Sequence, residues 1–431
     1  MRLFRTGQPG FEKYLSEIEQ RGSREGFVLE RKVYAILKDV REKGDSALLH
    51  YTRLFDHVKI TLPQLQVQEK EVKGAYRIIP EEFLGTLERA ARRIRTFHAT
   101  LKKGSLLSLE KREPGIWLGK MSRPLERVGV YVPGGKASYP STVLMAAIPA
   151  KVAGVPEVFM VTPPQKGGIS PAVLVAADLA GVDRIYRVGG VQAIGALAYG
   201  TETIPQVDKI VGPGNRYVTI AKRLVYGVVD IDMVAGPSEI VIISDGKTPP
   251  TFLAADLISQ AEHDEMALAI LITPSVALGN KVNEELKRQL SSLRRKKIAR
   301  TSLNRRGALL VVKDLDQAMA VANRIAPEHL ELCVSNAFSL VKKVKHAGAV
   351  FLGRHTPEAI GDYLAGPNHI LPTAGTARFS SPLGAEDFMK RTNLIGFNRT
   401  ALKRFEKDVK RFAEWEGLEG HFQAVQRRMQ E

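Results

Sequence analysis

The rhythm of apolar positions changes along this chain, and the changes divide it. Residues 30–56 carry apolar side chains at helical spacing, interrupted at Gly44, and a second long helical pattern covers roughly 80–103. From residue 128 short β-rich runs begin: V-G-V-Y-V (128–132), V-F-M-V (158–161), I-Y-R-V (185–188) and K-I-V (209–211). Helix-like segments lie between them, for example T-V-L-M-A-A-I-P-A-K-V-A (142–153) and P-A-V-L-V-A-A-D-L-A (171–180). A second series follows at 240–244, 267–272, 308–312 and 349–352, again with helical patterns between. Strand alternating with helix at this spacing predicts parallel sheets with covering helices. The fold class is therefore α/β, with two similar Rossmann-like domains and a cleft between them. We expect a helical N-terminal arm over 1–26 and a first domain from 27–130 and 239–382. The second domain is expected over 131–238. Beyond 380 the strands are expected to stop, leaving a charged helical tail over 383–431.

Composition narrows the function classes. With 431 residues, 44% of them apolar and 25% charged, the chain reads as a soluble globular protein rather than a disordered one. No apolar run is long enough for a membrane span or a secretory signal, so cytoplasmic residence and no membrane partner are expected. Cys333 is the single cysteine, which excludes an intrachain disulfide and a thiolate metal cluster. The net charge of +17 raises nucleic acid as a partner. The basic runs at 294–297 and 403–411 are not interleaved with stacking aromatics, however, and no nucleic-acid motif is present, so no nucleic-acid partner is expected.

Several constellations can carry chemistry. S-Q-A-E-H-D-E (259–265) ends an amphipathic run, placing Gln260 and His263 three apart on one helical face. An amide oxygen and an imidazole aimed at one point make half of a site for a zinc-like ion, to be completed by a carboxylate and a second histidine. Glycine-rich turns at 131–137, 188–195 and 211–218 each follow a strand; each is a tight βα turn or a phosphate cradle, and three along one sheet edge suit a dinucleotide. A-P-E-H-L-E-L (326–332) pairs Glu328 with His329, two neighbouring bases for a reaction with several proton transfers; a helix N-terminus with a first-turn carboxylate accounts for the same residues. I-G-D-Y-L-A-G-P-N-H-I-L-P-T (360–373) reads as a long ordered loop offering Asp362 and His369. E-G-L-E-G-H-F (416–422) offers Glu416 and His421.

In order and spacing these segments, together with I-V-G-P-G-N, D-M-V-A-G-P-S-E and V-R-E-K-G-D-S-A-L, closely resemble histidinol dehydrogenase over nearly the whole chain. The resemblance implies NAD-dependent oxidation of L-histidinol to L-histidine through the aldehyde, in histidine biosynthesis. It implies one zinc per subunit held by Gln260, His263, Asp362 and His421, with Glu328 and His329 as the acid–base pair. Ser238, His329 and Glu416 would join the metal ligands around the substrate, and Tyr131, Gln192 and Asn215 would contact NAD. A homodimer with shared sites is implied, the tail of one subunit completing the cleft of the other. On the residues alone, the same framework would serve another amino alcohol or a diol. The Q-x-x-H set would also serve a zinc hydrolase, although that reading leaves the glycine turns without a task.

Overall fold

The computed structural model describes residues 1–22, 27–101, 107–134 and 138–430. Two parallel sheets form its centre. One has five strands in the spatial order Arg184–Arg187, Glu157–Thr162, Arg127–Tyr131, Lys209–Val211 and Asp230–Ile231. The other has six: Arg2–Arg5, Ala308–Val311, Leu268–Thr273, Glu239–Ser244, His329–Cys333 and Ala349–Leu352. All neighbouring strands in both are parallel. In chain order the five strands run 3-2-1-4-5, and so does the larger sheet once its N-terminal edge strand is set aside. This is the doubly wound arrangement, in which the order reverses beside the first strand. The predicted α/β class with two Rossmann-like units is what is found.

The packing departs from the expected boundaries in three places. Val33, Leu37 and Val40 of the helix Phe27–Lys43 share a core with Tyr131, Phe159 and Val161, and Leu87, Ala91 and Ile94 of the helix Glu81–Leu101 share one with Val128 and Met160. Residues 27–101 therefore cover the five-stranded sheet rather than the six-stranded one, and the strand Arg127–Tyr131 belongs to that sheet as well. The N-terminal arm is not wholly helical. Arg2–Arg5 pairs with Ala308–Val311 as an edge strand, and Phe11, Tyr14, Leu15 and Ile18 of the helix Pro9–Glu19 enter the core of the six-stranded sheet. Finally, strands do not stop at 380. Met389–Phe397 pairs antiparallel with Ile116–Pro124, which pairs in turn with Leu107–Glu113. The two tail helices, Arg399–Glu416 and Glu419–Gln430, follow from this small sheet.

At the point of order reversal in the five-stranded sheet, glycine is required. Gly212 has φ +114, and a Cβ there would lie 2.1 Å from the Tyr131 carbonyl oxygen. The turn is fixed from below by a buried ion pair between Lys222 and Asp232, whose side chains are 3% and 1% exposed. Lys222 Nζ also donates to the Gly212 carbonyl at 2.9 Å, and Asp232 accepts from the Gly212 amide at 2.7 Å. Removing one partner strands the other charge in the interior. Lys222→Met should therefore destabilise the protein by about 3–5 kcal/mol in urea unfolding; a loss below about 1 kcal/mol would show that the pair does not hold the turn.

Candidate active site

The strand His329–Cys333 organises the polar centre. Side chains alternate along a strand, so His329, Glu331 and Cys333 face one way while Leu330 and Leu332 enter the apolar core on the other. The polar row lies beneath the helix Pro250–Ala261, where Gln260 and Asp256 stand one turn apart. Gln260 is fully buried and meets His329, its Oε1 3.0 Å from the ring Nδ1. Asp256 meets Glu331 by a side-chain hydrogen bond, and Cys333 Sγ lies 3.8 Å from Glu331 Oε2.

His329 Nδ1 also lies 2.9 Å from the Glu239 carbonyl oxygen. Two acceptors at Nδ1 assign the proton to that nitrogen and leave the lone pair on Nε2. Burial drives the imidazole pKa down to about 4, so the ring is neutral at physiological pH. Glu328, also buried, sits beside it with Oε2 3.7 Å from Nδ1, and accepts from the Glu239 amide at 2.8 Å. Burial holds its pKa well above the usual carboxylate range. Environment thus separates the two neighbours in the way an acid–base pair requires.

Asp362 is brought to the same point by the short helix Glu358–Tyr363, within a segment read from sequence as loop. His369 follows it, Nδ1 3.0 Å from the Asp362 carbonyl and Nε2 3.4 Å from Thr142 Oγ1 at the start of the helix Pro140–Ala153. Thr142 belongs to the five-stranded unit, and the segment around His369 packs there as well: Ile370 shares a core with Val128 and Met160, and Asn368 Nδ2 donates to the Met145 carbonyl at 2.7 Å. Glu358 was not singled out in the sequence. It is 2% exposed, its Oε1 stands 3.9 Å from His329 Nε2 and has no hydrogen-bond partner among the described residues. Its backbone N–H donates to Glu331 Oε1 at 2.7 Å. Burial and the neighbouring Asp362 push its pKa up to about 9. Its only sequence signal is a carboxylate just after a proline, which reads as an ordinary helix start.

The remaining expected residues divide. His263 lies two residues beyond the helix end at Ala261, in a continuing turn, and is exposed. Its charge still bears on His329. Ser238 is half-buried, immediately before the strand Glu239–Ser244. Tyr131 and Gln192 are buried at the carboxyl edge of the five-stranded sheet, where Tyr131 Oη accepts from the Gly190 amide at 3.2 Å and Gln192 Oε1 has no partner among the described residues. Asn215 caps the helix Arg216–Val225, its Oδ1 accepting from the amides of Tyr217 and Val218. Residues 135–137 of the first glycine turn lie outside the described residues. Glu416 and His421 are exposed on the tail, and no hydrogen bond or ion pair among the described residues joins either to Gln260, His263 or Asp362.

One edge of each sheet faces this centre, and the edges are opposite. Tyr131 ends its strand and Gly212 directly follows its own, whereas Glu239 and His329 begin theirs. At the carboxyl end of the larger sheet the crevice is filled: Asp245 accepts from the Ser335 amide and hydroxyl, and Thr248 donates to the Cys333 carbonyl. The donor set suits a divalent ion. Ligating atoms of His329, Glu358 and Asp362 lie within 4.8 Å of one another, and buried like charges there call for a cation. Gln260 keeps a lone pair on Oε1 beyond its contact with His329. Nitrogen and oxygen donors without thiolate are compatible with zinc.

Fold and site together define a two-unit α/β protein of doubly wound order, with a buried Glu–His pair of separated pKa values and a cluster of N/O donors that a divalent ion would fit. A histidinol dehydrogenase family model matches residues 19–429, and the chain belongs to that family. It is 52% identical over 431 residues to the histidinol dehydrogenase of Syntrophotalea carbinolica, all of both chains being covered. It is 53% identical over 430 residues to that of Geobacter sulfurreducens, again covering both in full. The crystal structure of histidinol dehydrogenase from Elizabethkingia anophelis superimposes with a TM-score of 0.92 at 36% identity, covering 100% of this chain and 98% of that one.

The acid pair behind the site yields a stability prediction. Burial raises the Asp256 pKa from 3.8 to about 6. A raised folded-state value means that its contribution to stability is present below about pH 4 and is lost as pH rises through 6. Relative to Asp256→Asn, the wild-type melting temperature should fall between those pH values and then level off. A constant difference across the range would remove the buried acid from the account.

Proposed function

We propose that the protein oxidises L-histidinol to L-histidine in two NAD-dependent steps, with zinc anchoring the substrate. The observation that carries this reading is the Glu328–His329 pair, whose proton positions are set apart by burial in a cleft with N/O metal donors. Gln260, His263 and Asp362 are the ligands this chain would supply, with His421 of the partner subunit as the fourth. When bound, zinc supplies a fixed positive charge that orients an amine and an imidazole, and NAD supplies the hydride acceptor.

The chain's own residues handle the protons. His329 Nε2, free of a hydrogen and facing the cleft, takes the hydroxyl proton as the carbinol C–H bond gives up its hydride. Glu328, once ionised, takes a proton from water while the water oxygen bonds to the aldehyde carbon. The anionic hydrate recovers the proton held on His329, and the resulting gem-diol then gives up the second hydride as His329 takes a hydroxyl proton, leaving the acid. Burial of both bases keeps the reactive aldehyde from bulk solvent. No cysteine nucleophile enters, because burial and the adjacent carboxylates of Glu331 and Asp256 hold the Cys333 thiol protonated.

The partner reading is a homodimer with shared sites. The tail exposes Trp415 at 93% and Phe412 at 71%, apolar area that its own chain leaves uncovered beside Glu416. A second copy laying its cleft against the tail would cover these rings and bring in the histidine that the site lacks.

Five measurements test this reading. Chelation should abolish NADH formation from histidinol and NAD, and zinc should restore it; unaltered turnover in metal-free protein would exclude the metal's role. Glu328→Gln should slow aldehyde oxidation by about 10²–10⁴-fold while sparing the alcohol step; equal slowing of both would contradict the division of roles. Since the Glu328 pKa is raised and that of His329 lowered, the aldehyde step should accelerate as pH climbs above neutrality, and no acid limb should appear near 6.5. Cys333→Ala should keep most of its turnover. For the shared site, mixing His263→Ala with His421→Ala subunits should recover up to about a quarter of wild-type activity, one intact site in each mixed dimer; no recovery after verified subunit exchange would place both residues in one chain's site.

A further inference from the structure

Glu239 touches both members of the acid–base pair through its backbone alone. Its N–H donates to Glu328 Oε2 at 2.8 Å, and its carbonyl accepts from His329 Nδ1 at 2.9 Å. Its side chain points away from the cleft and is gripped by Arg21, which donates from Nε to Oε1 at 2.5 Å and from Nη2 to Oε2 at 2.7 Å. Both side chains are 3% exposed. The same guanidinium reaches three further backbone carbonyls: Ile18 at the end of the first helix, and Ile325 and Ala326. Ala326 has φ +49 and starts the turn that delivers Glu328. Glu239 Oε1 also accepts from the Ala374 amide, tying in the loop that follows His369.

We propose that Arg21 and Glu239 are positioning residues for the reaction, a clamp that sets the Glu239 peptide groups against Glu328 and His329. This rests on the assignment of those two as the acid–base pair. A buried ion pair is poor value as stabilisation, since an apolar pair of similar size often serves as well. A bidentate fork differs in fixing direction. Here it fixes one strand start, one helix end and one turn in a single register, and both proton-transfer groups hang from that register. Displacement of a reacting group by about 1 Å can lower a rate by about 100-fold.

The test compares Arg21→Met, Glu239→Met, the double variant and Arg21→Lys with wild type, using histidinol and NAD. Melting temperature, zinc content, kcat and both KM values are read for each. Each single Met variant leaves a buried charge unpaired and should lose stability. The double variant should regain most of it and retain zinc. Its kcat should nevertheless stay down by about 10- to 100-fold, with both KM values within about threefold of wild type. Arg21→Lys keeps the charge without the fork and should fold, with kcat reduced by about 3- to 30-fold. That variant decides the matter if the double one does not fold. Wild-type kcat in the double variant or in Arg21→Lys would overturn the clamp, as would a loss carried wholly by KM. A wild-type enzyme inactive on histidinol would instead overturn the functional reading beneath it.

Discussion

Burying titratable groups without water is the constraint around which this molecule is built. His329, Glu328 and Glu331 are nearly excluded from solvent and each meets a named partner rather than bulk water, while Glu358, equally buried, keeps Oε1 without a partner among the described residues. A parallel strand with polar side chains on one face needs a covering element with complementary polar groups. The helix Pro250–Ala261 supplies them, Gln260 over His329 and Asp256 beside Glu331. The same pairing that satisfies the strand also decides which imidazole nitrogen is free. Structure and reactivity are here one set of hydrogen bonds.

Two sheets of the same strand order are used from opposite ends. The smaller one presents the carboxyl edge, where glycine turns and helix N-termini favour an anionic ligand. The larger one has its carboxyl crevice filled by Asp245, Thr248 and Ser335, and presents its amino edge instead. The Thr142–His369 contact and the burial of Ile370 beside Val128 and Met160 tie the segment after Asp362 to the smaller sheet's unit.

Much of this was legible in the sequence, and the gaps have physical causes. Alternating strands and helices announced both sheets; the Gln260–His263 spacing predicts one helical face, but the helix ends at Ala261 and leaves His263 exposed while Gln260 is buried. Glu328–His329 stood out as paired bases, yet E-H-L-E-L-C was open to reading as a helix start. Polar residues at alternate strand positions ordinarily face water, and only the helix above them shows otherwise. Met389–Phe397 went unseen as a strand because its largely exposed side chains give no apolar alternation, and its partner Ile116–Pro124 is far away in the chain. Arg21 carried no local signal at all, since its importance comes from contacts with residues about 200 to 300 positions distant. For the helices of 27–101, periodicity tells that a face is apolar, not which sheet that face covers.

The central claim is that one dication sits beside His329, held by side chains from two copies of the chain. Anomalous scattering at the zinc edge, from crystals grown with histidinol, addresses it directly. The account predicts one peak per chain at about 2 Å from Gln260 Oε1, an imidazole nitrogen of His263, a carboxylate oxygen of Asp362 and the partner subunit's His421. A peak on Asp256, Glu331 and Cys333, or one lacking any ligand from a second chain, would contradict it.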